Sequence, residues 1–385
     1  MLTPTGWGTF VSGAALTTAG YALGYGEAAA LGAACLLAVT AAVVWTWLRP
    51  DLTAERRVTP HKVSRGEHAD ALVTLTNTGG RTRRGLRVRD RAGDQAPSAD
   101  IPMLRPGDAH EASYPLPTGR RGIVQIGPLQ VERTDPLGLS CRARTYGAVG
   151  TLVVRPRICL LPVLPSGTAH HIEGPTSDTA DDGSLTFHAL REYVLGDDLR
   201  RVHWRSSART GTLMVRQMVD VALPHTTVVL DTRGTAYGGE DDFELAVDCA
   251  ASVAYAAARS NFPVYVVTET GPVLRAQGSA GDAEALLDRL ALTVPSDRRS
   301  CAAAFDDLEQ HRGGGQLVVV TGTGDTDGLA ALGRVGRRFD RVAMLRAGAE
   351  AAGSPQVAGT GRDVHQVHVT SLNALLATWR WEAVR

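Results

Sequence analysis

Apolar positions at the start of the chain run without interruption. From Leu2 to Gly26 no side chain is charged, and after Glu27 the run Ala28 to Leu48 is uncharged again. The second run is about 20 residues long, enough to cross a hydrocarbon core. It closes on Trp45 and Trp47, at the depth where interfacial aromatics sit, and Arg49, Arg56 and Arg57 follow it. The first run, from Trp7 to Leu23, is richer in Gly, Thr and Ala and is expected to insert as the partner of a helical hairpin. Gly13, Ala14, Gly20 and Gly24 would let the two helices approach closely. The competing reading is a cleaved signal peptide, against which stand the lack of a basic leading region and of a charge break before the second span. Residues 1–50 are therefore expected to form a two-pass transmembrane hairpin in the plasma membrane. The basic residues after the second span put the later domains in the cytoplasm and Glu27 in a short external turn.

The period then changes. Ala69 to Asn77 alternates apolar and polar positions, as does Gly85 to Asp90, and turn signals recur at Gly79-Gly80, Pro106-Gly107, Gly127-Pro128 and Pro136-Leu137-Gly138. About six or seven short strands at this spacing predict an antiparallel, immunoglobulin-like β-sandwich over residues 51–156. It offers no catalytic residues, and spacing or partner contact is its expected role. Residues 157–220 read as a linker followed by a charged segment. The linker holds the pair His170-His171 and the acidic run Asp178 to Gly183, which lacks the spacing of a calcium loop.

Residues 221–385 alternate strand and helix. Thr226 to Asp231 is a buried strand run, Asp241 to Arg259 an amphipathic helix, and PVYVVTE a second strand; Asp282 to Leu292 is helical again. Gln316 to Gly322, a helix over Asp327 to Arg338, two more strands and a closing helix from Leu372 to Arg380 complete an open α/β sheet. Ligands on such sheets bind at the carboxyl ends of the strands, where the loops Asp231 to Thr235 and Thr321 to Asp325 lie.

Composition narrows the function classes. Forty basic and forty acidic residues cancel, so there is no bulk attraction to nucleic acid, and none is expected as a partner. Five scattered cysteines without a CxxC pair argue against a disulfide framework and a zinc site. No phosphate-binding loop and no GxGxxG opening a helix are present.

The densest chemistry lies between Phe187 and Gln217, where six arginines (Arg191, Arg200, Arg201, Arg205, Arg209, Arg216) face three acids, Glu192, Asp197 and Asp198. Such a segment is too charged to be buried unpaired, so it is a surface, a site or an ion-pair network. If Asp198 caps a helix, Arg200, Arg201, Arg205 and Arg209 cluster on one side of it, with Gly196 and Gly211 punctuating its ends. Ser206 and Ser207 stand beside His203, yet the strand-turn-helix setting of a nucleophile and an orienting acid are both missing.

The run carrying Arg191, Tyr193, Gly196, Asp197, Asp198, Arg201, His203, Trp204, Ser207, Ala208, Arg209 and Gly211 resembles the signature of the bacterial domain of unknown function 58 family. The segments Arg120 to Gly122 and Asp135 to Leu139 extend the resemblance. It implies a last domain similar to von Willebrand factor type A, and an association with MoxR-type AAA+ ATPases and transglutaminase-like membrane proteins. It also implies a divalent cation, Mg²⁺ for instance, held through a D-x-S-x-S motif. Here Asp231 is kept and Thr235 stands for the last serine, but Arg233 replaces the middle hydroxyl. Thr321 and Gly322 occupy the place of a later acid, with Asp325 displaced. The sequence therefore predicts no bound metal or other cofactor, and Asp231 paired with Arg233 or with an arginine of the signature. The expected function is a membrane-anchored scaffold or adaptor without catalysis, working with a MoxR-type ATPase in cell-envelope or protein-maturation processes. The alternative is a metal-dependent or serine-type hydrolase.

Overall fold

The computed structural model describes residues 1–47, 51–162, 185–194, 197–220, 225–279, 281–310, 313–349 and 364–384. The linker features His170-His171 and Asp178 to Gly183, as well as Arg49 and Gly196, lie outside the described residues, as does the side chain of Arg201. The chain forms two compact units, Met1–Arg157 with Ala291–Thr293, and Ile158–Leu290 with Val294–Arg385.

The first unit opens with two helices. α1 (Pro4–Leu23) begins where the Thr3 hydroxyl accepts the Gly6 N–H at 3.0 Å, with Pro4 in the first turn, and it ends on Gly24 in the left-handed conformation. α2 (Gly26–Trp47) follows at once. They pack through small residues: a Cβ on Gly20 would lie 2.5 Å from Ala29 N, and one on Gly32 would lie 2.5 Å from Thr17 N. Gly13 and Gly20 thus act as contact positions. Gly24 does not, because it is the cap of α1, and Gly32 takes the role instead. Among the described residues α2 alone is long and apolar enough to cross a membrane. Its 22 residues span about 33 Å.

Ten strands follow: β1 (Leu52–Thr59), β2 (Lys62–Ser64), β3 (Asp70–Asn77), β4 (Leu86–Arg89), β5 (Ser98–Ile101), β6 (Ala109–Pro115), β7 (Gly122–Ile126), β8 (Leu129–Thr134), β9 (Cys141–Tyr146) and β10 (Gly150–Arg155). They pair as β1-β3-β6, β2-β10-β7 and β5-β4-β8-β9. Alternate residues of β3 (Ala71, Val73, Leu75) meet Ile126, Leu152 and Val154 in one dry core. The expectation of six or seven antiparallel strands is corrected on two points. Strands of three and four residues such as β2 and β5 are too short to show a period, and β10 pairs with β2 in parallel.

In the second unit a two-stranded ribbon comes first, β11 (Leu185–Glu192) antiparallel to β12 (Met214–Asp220), with α3 (Trp204–Thr210) in the excursion between them. The open sheet follows: β13 (Thr226–Leu230), α4 (Glu240–Arg259), β14 (Val264–Thr268), β15 (Gly271–Ala276), α5 (Asp282–Ala291), α6 (Ala302–Glu309), β16 (Gln316–Gly322), α7 (Leu332–Val335), β17 (Arg341–Ala347), β18 (His365–Val369) and α8 (Leu372–Val384). The order is β15-β14-β13-β16-β17-β18, parallel except for β15. β13 and β16 are buried at every position because helices cover both faces: α4, α5 and α8 on one core, α6 and α7 on the other. The helix expected over Asp327 to Arg338 is instead two 3-10 turns flanking the four residues of α7. Gly333 and Gly336 weaken helix there. The edge strand β15 and helix α6 escaped the sequence reading altogether.

Candidate functional site

The strand order reverses between β13 and β16, so their carboxyl ends open a crevice, the usual ligand position on such a sheet. Asp231 leaves β13 there. Its carboxylate accepts the Arg233 backbone N–H at 3.1 Å, Arg233 Nε at 2.9 Å, Nη2 at 2.9 Å and the Thr321 hydroxyl at 2.8 Å. Arg233 is wholly buried. Its other guanidinium hydrogens go to Asp325 Oδ2 at 3.0 Å, Asp325 O at 3.1 Å and Arg299 O at 3.2 Å, so all five donors are used. Burial pulls its pKa down, but the hydrogen bonds and charge of Asp231 outweigh that and hold it above the usual value. The same charge adds to burial in lifting the Cys301 thiol to about 12.

The crevice is also closed. Gly324 N–H donates to Ala236 O at 2.9 Å, and a Cβ on Gly322 would lie 1.9 Å from the same oxygen. The glycines of Thr321 to Asp325 thus admit the turn after Arg233, not a ligand. Buried Glu269 accepts the Thr232 N–H at 3.1 Å, the Thr232 hydroxyl and the Ser296 hydroxyl, tying the loop down from the other side. Glu269 and Ser296 went unnoticed in the sequence because only the fold brings them to Thr232. The residues present do not fit a divalent cation. Each oxygen of Asp231 already accepts two donors, a guanidinium stands among the acids, and Thr235 is exposed instead of turned inward.

The signature occupies the excursion from β11 to β12. Arg191 grips Asp197 bidentately, at 2.7 and 2.6 Å, and Asp197 also accepts the Val194 N–H at 2.9 Å. Asp198 caps not an α-helix but a 3-10 turn, Leu199–Arg201, after which Val202 bridges to Val215 of β12. α3 begins only at Trp204, with His203 as its cap, and ends at Gly211, φ 76°. The expected single helix with four arginines along one side is therefore broken, and only Arg205 and Arg209 share a helix. Ser207 is consumed structurally: its hydroxyl donates to His203 O at 3.2 Å and accepts the Met214 N–H at 2.8 Å. The Ser206 hydroxyl lies 2.8 Å from His203 Nδ1, which also receives the Ser206 N–H at 3.3 Å. Outside this frame the segment is exposed. Trp204 shows 66% of its surface, accompanied by Val194, Leu199 and Leu213, and among the described residues Arg200, Arg205, Arg209 and Arg216 form no ion pair. Tyr193 is half-buried, its N–H bonded to Leu213 O at 2.8 Å.

No curated protein is significantly similar to this chain. Solved structures similar to part of it include the CARDB domain of PF1109 from Pyrococcus furiosus, at 20% identity over 27% of this chain and 94% of that one (TM-score 0.22), and the 272-376 domain of a putative cell surface protein from Methanosarcina acetivorans, at 14% identity over 28% and 93% (TM-score 0.20). The PKD domain of an M14-like peptidase from Thermoplasmatales archaeon SCGC AB-540-F20 is 13% identical over 28% of this chain and 98% of its own (TM-score 0.18). The excursion between β11 and β12, with its broken signature helix, and the crevice fall within residues 189–352, and that segment matches the family described as Protein of unknown function DUF58.

Proposed function

We propose that the chain is a membrane-anchored scaffold or adaptor that binds a protein partner through the β11–β12 excursion. The observation that carries this reading is an exposed tryptophan beside arginines that have no acidic partner among the described residues, set on a frame held by the Arg191–Asp197 pair and the Ser207 hydroxyl. Exposed Trp and Arg are the residues that dominate protein interfaces, the first by apolar area and the second by bidentate bonds to carboxylates. The resemblance in the signature points to a MoxR-type AAA+ ATPase as the partner, with a transglutaminase-like membrane protein as a second candidate, in cell-envelope or protein-maturation work. On this reading α1 and α2 cross the plasma membrane as a two-pass hairpin and leave the later domains in the cytoplasm. The sheet order, with its antiparallel β15, supports a von Willebrand factor type A-like domain whose cation position is filled by Arg233.

Charge reversal at Arg205 and Arg209 tests the proposal, since both are exposed and neither supports the frame. The full chain in detergent should lose capture of the ATPase while its thermal unfolding stays the same. Undiminished capture sinks the reading. A serine-type hydrolase is the second reading, favoured by the Ser206–His203 contact. If Ser206→Ala abolishes cellular function with partner capture intact, the hydrolase replaces the adaptor.

A further inference from the structure

The Asp135 to Leu139 motif plays no part in the function proposed above, yet it organises the first unit. The Asp135 carboxylate takes the N–H groups of Leu137 at 2.9 Å and Ser140 at 2.5 Å and folds a tight turn between β8 and β9. The start of α1 is pinned to this turn: Thr3 N–H donates to Leu139 O at 3.0 Å and the Thr3 hydroxyl to Gly138 O at 2.6 Å. A Cβ on Gly6 would lie 2.0 Å from Leu139 O. The end of α2 meets the same turn, with the Thr46 hydroxyl 2.9 Å from that of Ser140, and Leu139 packed on Val39 and Ala42. The helical pair thus starts and finishes at one end of the β5-β4-β8-β9 sheet.

Beside that joint lie Trp45 and Trp47, 45% and 68% exposed. Each has a guanidinium over its ring, Arg133 at 5.4 Å from the centroid of Trp45 and Arg142 at 5.2 Å from that of Trp47. Arg133 stands opposite Arg142 in the β8–β9 register, and Arg144 lies two residues further on, so all three share one face of the sheet. Among the described residues neither Arg142 nor Arg144 has an ion-pair partner. Arg133 itself is buried, and burial first, then the neighbouring charges of Arg83 and Arg144, holds its pKa below the usual value.

We propose that Arg142 and Arg144, with Trp45 and Trp47, bind anionic phospholipid headgroups. The proposal rests on the reading of α1 and α2 as a membrane anchor. A guanidinium matches a phosphate bidentately, and indoles at the end of a membrane-length helix sit at headgroup level. A free phosphate would answer the arginines but leave the exposed surface of both indoles in water, so the lipid is the occupant that uses the whole site. Interfacial arginines each contribute about 1 kcal/mol toward anionic lipid.

The test is native mass spectrometry of the full chain in mild detergent, offered phosphatidylglycerol or phosphatidylcholine. The native protein should retain phosphatidylglycerol about thirtyfold better, in line with two interfacial charges. Arg142→Gln/Arg144→Gln should bring the two lipids to near parity. Arg87→Gln/Arg89→Gln, which removes arginines of β4 already paired with Asp100 and Glu132, should leave the preference intact. Equal retention by the native protein, or an unchanged preference in the first double variant, overturns the proposal. Carbonate extraction separates the two levels: a chain that stays with membranes but has no headgroup preference overturns the lipid site alone, and a chain released by carbonate overturns the anchor and the site together.

Discussion

Among the described residues the largest fully buried side chains are two arginines, Arg233 and Arg346, in a domain whose core is otherwise mainly Val, Leu and Ala. Arg233 persists there because every N–H it carries finds an acceptor, which offsets the several kcal/mol that burying an ion costs. Removing it strands the Asp231 carboxylate. Arg233→Ala is expected to destabilise the sheet by about 3–5 kcal/mol, read as faster hydrogen exchange in β13 and β16 of the full chain. Arg233→Lys should recover less than half of that loss, since an ammonium has three donors and cannot span Asp231, Asp325 and Arg299 at once. Unchanged exchange in the alanine variant would show that the pair is not structural. The motif comparison in the sequence picked out Arg233 as the misfit, but its second acid, Asp325, entered only as a displaced ligand.

At the scale of elements, the signature excursion is a short assembly held by side-chain to backbone bonds. Ser207 is its pivot, one hydroxyl serving α3 through His203 O and β12 through Met214 N. Ser207→Ala leaves the Met214 N–H without its acceptor and should lower stability by about 1–3 kcal/mol, measured by urea titration with a probe on the ribbon. Ser206→Ala should fall within about 0.5 kcal/mol, as a change away from buried bonds does. Equal losses in the two variants would contradict these separate roles. The sequence placed Asp198 at a helix start correctly in kind, since its carboxylate does cap a turn. The extent of that helix was not legible. Val202 bridges β12 in an extended conformation, and a pairing with a residue beyond α3 is invisible to any local period.

For the whole molecule, the proposed two-pass hairpin has a direct topological consequence. Reporter fusions after Thr53 and at the C-terminus should both signal cytoplasm, and an external signal from either position would rule the hairpin out. The sequence by itself determined where the long apolar helix lies, where strands of period two give way to alternating strand and helix, and which segment concentrates charge. Helix α4 and strands β13 and β16 were legible to within about two residues, because buried runs and amphipathic faces are local signals. Tertiary structure alone decided the rest. It chose Arg233 over the signature arginines as partner of Asp231, brought Asp325 from 92 positions away and Thr321 from 90, and set Ser140 against Thr46 across 94. It also moved Arg56, one of the basic residues after the second span, into a buried pair with Asp90, and put Arg133 and Arg142 over Trp45 and Trp47 in its place. The physical reason is common to all of these. Hydrogen bonds and charge contacts act over a few ångströms of space, and only the folded backbone decides which residues far apart in the chain come within that reach.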